Sequence, residues 1–308
     1  MGESMKKKRK SKYDKRLSEL FEDFIDDCKL KNLTLKSIEN YEYNCNIFIE
    51  AIGDIQVKDL EQSVLDDFLK WLKKNRNYNA TSTNTMLIII NVYLHFLYEK
   101  GFIHKQIKFN RIKCDKKVKE IYTNEELKII LRKPSDDCLF SEYRNYLLAH
   151  LIMNLGIRVR TLSEIQIKDV DMKERVIVLH AMKNRKETFM PIPKNLFKIL
   201  KQYFDDYEFE PTDYLICDDK GRQMKPSSIS VSFKRYCRNR GVYKEGSVHL
   251  LRHTFSTHFI KNGGSIYALS KILGHSSIAI TENYIRTLSI EHFTDDLEKF
   301  SPLDKLKG

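Results

Sequence analysis

The chain has 308 residues, with 54 Lys and Arg against 42 Asp and Glu, giving a formal charge of +12. That length suits two domains, each with its own core, and the positive balance points to a polyanionic partner, either nucleic acid or an anionic membrane surface. Membrane insertion is excluded by the most apolar stretch, Met86 to Leu97, which is too short and is broken by Asn91 and His95.

At the N-terminus, residues 1–13 read as a basic tail. Its Lys6-Lys7-Lys8-Arg9-Lys10 cluster has no apolar segment behind it, so it is not a secretory signal. The spacing of Leu17, Leu20, Phe21, Phe24, Ile25 and Cys28 predicts a first helix over 14–30 with one apolar face. A second starts after Thr34, buries Ile38, Tyr41, Cys45, Phe48 and Ile52, and stops at Gly53, a residue suited to a left-handed position. A third covers Gln62 to Lys73, and a fourth runs from about Thr83 to Gly101. Four helices with short connections make a small all-α domain over 14–103.

Residues 104–120 are dominated by Lys105, Lys108, Arg111, Lys113, Lys116, Lys117 and Lys119 and read as a basic linker, solvated or laid along a nucleic-acid backbone. A second domain, 121–288, opens with a capping box, Thr123 and Glu126. A helix over 141–154 precedes Gly156 and Arg158. The runs 176–179 and 187–192 read as short strands joined by the polar turn at 182–186, giving a small antiparallel sheet. Further helices are expected over 196–204, 227–238, 249–261 and 266–273. The fold class is therefore mainly α with one small antiparallel sheet.

Six cysteines without a Cys-x-x-Cys pair read as reduced thiols of a cytosolic protein. His249 and His253 have helical spacing, but no cysteine pair or glutamate completes a zinc set, so no metal or other cofactor is expected.

The informative residues lie in the second domain. His249 and Arg252 are three apart and share a helix face. Arg158 and Arg252 could each offer planar paired donors to the non-bridging oxygens of a phosphate whose charge grows in a transition state. Tyr284 sits nine positions after His275. A tyrosine hydroxyl, with an unperturbed pKa of about 10, needs a base or a cationic field to attack at neutral pH; His249 is the candidate for that help. A lysine on a hairpin turn, Lys183, can protonate a leaving oxygen, with Lys186 and Lys168 as competitors. Taken alone, Tyr284 would be one half-buried aromatic among 16 tyrosines. His253 and His258 read as structural or surface residues, and Arg160 and Arg185 as phosphate contacts or solvated charges.

In this arrangement the chain resembles the tyrosine recombinase (phage integrase) family. Leu155-Gly156-Ile157-Arg158-Val159 looks like its Gly-Leu-Arg box and His249-Leu250-Leu251-Arg252-His253 like its His-x-x-Arg box. Leu273-Gly274-His275 looks like its Leu-Gly-His box, Met182-Lys183-Asn184 like its lysine turn, and Tyr284 like its nucleophile. The resemblance covers nearly the whole chain. It implies a SAM-like core-binding domain followed by a catalytic domain, a double-stranded DNA substrate, a 3'-phosphotyrosine intermediate with a free 5'-hydroxyl, and no ATP or divalent metal. It also implies a homotetramer on two duplexes, for which the tail 289–308, with Ile290, Phe293, Leu297 and Phe300 at helical spacing, is the expected inter-subunit element.

One departure stands out. Thr161 occupies the place, three after the first arginine, where the family commonly has an acid, and Glu164 lies one turn further on. The expected activity is site-specific recombination, serving a mobile element as its integrase. Alternatives are a Xer-type resolvase of chromosome or plasmid dimers, a type IB topoisomerase, and a catalytically silent DNA-binding regulator.

Overall fold

The computed structural model describes residues 12–114, 120–180, 188–244, 248–275, 277, 278 and 281. The chain divides into two compact units between Lys117 and Val118.

The first unit holds α1 (Leu17–Leu30), α2 (Leu35–Ile52), α3 (Gln62–Asn75) and α4 (Ala80–Glu99). Three of these starts have an identifiable cap. The Asp54 carboxylate accepts from the Ser18 backbone N–H at 2.9 Å and the Ser18 hydroxyl at 2.7 Å, so α1 is capped from a distant loop. Thr34 caps α2 through Ser37 N–H. The fourth helix begins earlier than Thr83 because Asn79 Oδ1 accepts from Ser82 N–H at 2.8 Å. Gly53 does end α2, but with φ 79° and ψ 156° it leaves through the extended mirror region rather than the left-handed helical one. The core is aromatic: Phe48, Phe68 and Phe109 meet at tilted or edge angles, and the buried Tyr93 hydroxyl donates to the Leu17 carbonyl at 2.6 Å.

Past Ile103 the chain stays on this unit. Ile107 and Phe109 are buried in its core, Asn91 exchanges hydrogen bonds with the Phe109 backbone at 2.8 and 3.0 Å, and Asn84 does the same with Ile112 on the N–H and carbonyl. The stretch read as a linker thus begins as a strap along α4, because two asparagines about two turns apart on one face of that helix supply the backbone partners a sheet would otherwise give.

The second unit holds α5 (Asn124–Ile130), α6 (Phe140–Leu155), α7 (Val159–Leu162), β1 (Val170–Asp171), β2 (Val176–Leu179), β3 (Thr188–Pro191), α8 (Lys194–Asp206), α9 (Pro226–Asn239), α10 (Val248–Lys261) and α11 (Ile266–Ile272). The Thr123–Glu126 capping box forms as the sequence suggests. The three strands are antiparallel in the order β1-β2-β3, with Ile177 paired to Met190 and both turned to the core. Strand β1 and the single-turn α7 are too short to carry a period and were not expected from the sequence.

Helix α6 is the centre of this unit and packs against α8, α9 and α10. It is buried nearly all round, and even Arg144 and Asn145 are inside. Arg144 donates to the Cys217 carbonyl at 2.8 Å and to Ser232 Oγ at 3.1 Å, and Asn145 donates to the same oxygen at 2.9 Å, so the polar groups tie α6 to α9 without being left unsatisfied. A separate apolar cluster, Phe255, Ile260, Leu269 and Leu273, joins α10 to α11. All six cysteines are free thiols, and among the described residues no helix is long and apolar enough to cross a membrane.

Candidate active site

Helix α6 ends at Gly156, whose φ of 61° and ψ of 20° turn the chain through the left-handed region. Only glycine fits there for a second reason: a Cβ would stand 2.5 Å from Phe255 Cε1 and 2.9 Å from Leu273 Cδ2. The turn buries Ile157 and brings Arg158 out as the residue before α7, with an exposed side chain. Leu273 in turn is held at the end of α11 by the cluster it shares with α10, and Gly274, with φ 59°, reverses the chain after it.

These two turns present their carbonyls to the arginines. Arg158 Nη1 donates to the Leu273 carbonyl at 3.0 Å, and Arg252 Nη2, from α10, donates to the same oxygen at 3.0 Å. Arg252 Nη1 also donates to the Gly156 carbonyl. Arg252 is 7% exposed, so its charge is largely desolvated; the carbonyl acceptors satisfy its N–H groups without cancelling the charge. Two guanidinium groups, one from the turn before α7 and one from α10, therefore converge on one point, the geometry an oxyanion clamp needs.

His275 completes the cluster. Its Nε2 lies 3.1 Å from Arg252 Nη2 and its Nδ1 lies 2.8 Å from the hydroxyl of Thr281, which is wholly buried. Burial first, then the positive charges of Arg252 and Arg158, push the imidazole pKa down to about 4, so the ring is neutral near pH 7.

Of the six residues singled out from the sequence, the structure gathers Arg158, Arg252 and His275. His249 is exposed on α10, one turn before Arg252. Lys183 and Tyr284 lie outside the described residues. The strand leading to the lysine turn is anchored at its end: His180 Nε2 is 2.9 Å from Oδ1 of the buried Asp169, whose other oxygen accepts from Gln166 N–H. Among the described residues no cluster of His, Cys, Asp and Glu could hold a metal ion.

Glu164 pairs with the exposed Arg160 at 3.8 Å, an ion pair on the surface of the unit. The sequence reading missed three participants: the carbonyls of Gly156 and Leu273, and Thr281. Carbonyls carry no residue-type signal. Thr281 is one of three hydroxyl residues between His275 and Tyr284, with Ser276 and Ser277, and nothing in the sequence singles it out.

A family model described as the phage integrase family matches residues 120–289, and one described as the phage integrase N-terminal SAM-like domain matches residues 20–106. Tyrosine recombinase XerA of Thermococcus kodakarensis is 28% identical over 294 residues, covering 94% of this chain and 98% of its own. Among solved structures, the Tn1549 transposon integrase in complex with a circular intermediate DNA has a TM-score of 0.76 at 17% identity, covering 92% of this chain and 99% of that one. A lambda integrase tetramer bound to a Holliday junction has a TM-score of 0.70 at 15% identity, covering 87% of this chain and 79% of that one. At such identities the structural likeness concerns the fold, which is a SAM-like helical domain followed by the catalytic fold of these enzymes.

Proposed function

Because the chain belongs to the phage integrase family, whose model spans 120–289 of its 308 residues, we propose that it is a site-specific DNA recombinase that cuts and rejoins strands through Tyr284. The observation that carries the reading is the shared acceptor of Arg158 and Arg252, both 3.0 Å from the Leu273 carbonyl oxygen. Two arginines held together in this way can close on the non-bridging oxygens of one phosphate.

The chemistry follows from that clamp. The Tyr284 oxygen attacks phosphorus, with His249 taking its proton. The bond to the 5'-oxygen breaks, and Lys183 gives that oxygen its proton. The products are a 3'-phosphotyrosine and a free 5'-hydroxyl, and the hydroxyl of a partner strand reverses the step. One phosphodiester is exchanged for another, so no step consumes ATP. Arg158 and Arg252 stabilise the charge that grows on the phosphate, each worth about 10²–10³ in rate by analogy with an oxyanion donor. His275 supports the same phosphate from beside Arg252.

The helical domain, 14–103, and the basic strap that follows it supply the second grip on double-stranded DNA, and a homotetramer on two duplexes completes strand exchange in the cytoplasm. The tail 289–308 docks on a neighbouring subunit. The tetramer on a Holliday junction named for lambda integrase supports this scale of assembly.

Within the class, Thr161 in place of an acid favours the integrase of a mobile element. The match over 94% of this chain and 98% of XerA favours a second reading, a Xer-type resolvase of chromosome or plasmid dimers. One experiment tests all of this. The protein is incubated with fragmented DNA of its source genome, denatured, and the covalently attached fragments are sequenced. A recombinase traps fragments in wild type and none in Tyr284→Phe. Sequences at the two ends of a movable segment mean an integrase, a single chromosomal or plasmid site means a resolvase, random sequences mean a topoisomerase, and no adduct in wild type rejects the catalytic reading.

A further inference from the structure

Thr281 has no part in the chemistry above, yet it is wholly buried with its Oγ1 2.8 Å from His275 Nδ1. The other ring nitrogen, Nε2, faces Arg252 Nη2 at 3.1 Å. A guanidinium has donors and no acceptor. Nε2 is therefore the accepting nitrogen, and the single proton of the neutral ring sits on Nδ1, donated to the threonine oxygen. Among the described residues, the charged groups that face the ring are Arg252 from α10 and Arg158 from the start of α7, and both favour this neutral form.

A phosphate in the clamp reverses the demand on Nε2. Its non-bridging oxygens only accept, so a ring nitrogen turned to them must carry the proton. We infer that Thr281 is the positioning residue that lets His275 serve both states: it accepts from Nδ1–H before DNA binds, and donates to a bare Nδ1 when Nε2–H meets the phosphate. The proton count closes, since Nδ1 releases one proton to solvent and Nε2 takes one up. The hydroxyl needs only to rotate about its Cβ–Oγ bond. Arg252 Nη2, no longer donating to the ring, then turns its N–H to the phosphate. A hydroxyl is both donor and acceptor, and no apolar side chain of the same shape can do either. This inference rests on the arginine pair being a phosphate clamp.

Two substitutions separate the hydrogen bond from mere packing. Thr281→Val keeps the shape and loses the hydroxyl, and Thr281→Ser keeps the hydroxyl and loses a methyl. Single-turnover cleavage is measured on a nicked suicide duplex carrying a sequence trapped in the adduct experiment. The valine variant should lose about 100-fold in cleavage rate, the scale of a misplaced catalytic group, while the serine variant recovers most of it. The reverse order, valine near wild type and serine slow, overturns the inference. Nitrogen NMR of ring-labelled histidine gives a readout independent of turnover: DNA-free wild type should show His275 protonated on Nδ1, and the duplex complex on Nε2. A DNA-free ring protonated on Nε2, or a tautomer unchanged by the duplex, also overturns it. If wild type forms no adduct, the recombinase reading fails along with the phosphate-bound half of the inference, and the DNA-free spectrum still decides the Thr281 pairing.

Discussion

Arg158 and Arg252 donate to one and the same oxygen, the Leu273 carbonyl, each at 3.0 Å. The two differ in surroundings, since Arg252 is 7% exposed and Arg158 lies on the surface of the unit. Their substitutions should therefore separate activity from stability. Arg158→Ala is expected to slow adduct formation by about 10²–10³ and to leave unfolding free energy within about 0.5 kcal/mol of wild type. Arg252→Ala should slow it at least as much and also cost about 1–3 kcal/mol, because the Gly156 carbonyl loses its donor in a buried place. Denaturant melts alongside the cleavage assay check both.

The two glycines of the site make a graded pair. Both have positive φ, 61° at Gly156 and 59° at Gly274, so alanine at either pays a left-handed cost of about 1–2 kcal/mol. At Gly274 a new Cβ meets, among the described residues, only Arg158 Nη1 at 3.8 Å, an ordinary contact, whereas at Gly156 it meets Phe255 at 2.5 Å. Gly156→Ala should be worse than Gly274→Ala by about a further 1–3 kcal/mol of overpacking, and thermal unfolding of the two variants measures the difference.

Acid should loosen the site through His275. Its folded pKa, about 4, lies below the ordinary 6.5, so the unfolded chain binds the proton more readily. The contribution is fully present above pH 6.5 and is lost as pH falls from there towards 4. His150 and His258, also lowered by burial, act in the same direction. The His275 share is therefore read as the difference between wild type and His275→Gln, whose stability curve should be flatter across that window.

The strap past Ile103 depends on Asn91, which holds the Phe109 backbone at both its N–H and its carbonyl. Asn91→Ala should release it and expose Lys108 and Arg111 to trypsin. Faster cleavage there, at unchanged cleavage elsewhere, is the expected pattern; equal rates would mean that Ile107 and Phe109 hold the strap through burial alone.

Much of the architecture was legible because it rests on periods and caps. The apolar stripe of α1, the Thr123–Glu126 box and the short β-branched run at 176–179 are all local signals. The arginines and His275 were legible through the spacing of three short boxes. What escaped was long-range and chemically anonymous. The Leu273 carbonyl meets an arginine 115 positions away, and a backbone oxygen has no residue type to betray it. The strap escaped because lysines dominate its composition, while two buried residues, Ile107 and Phe109, decide its path. Thr281 was passed over because nothing in sequence says which nitrogen of His275 needs a partner.

Whether the two guanidinium groups act as one clamp is decided by a double-mutant cycle on the rate of covalent DNA attachment, using Arg158→Ala, Arg252→Ala and both together. Groups that act as a unit are strongly non-additive, so the double variant should be no more than about tenfold slower than the slower single one. Losses that multiply in full would mean that the arginines serve separate phosphates, and would contradict the shared site.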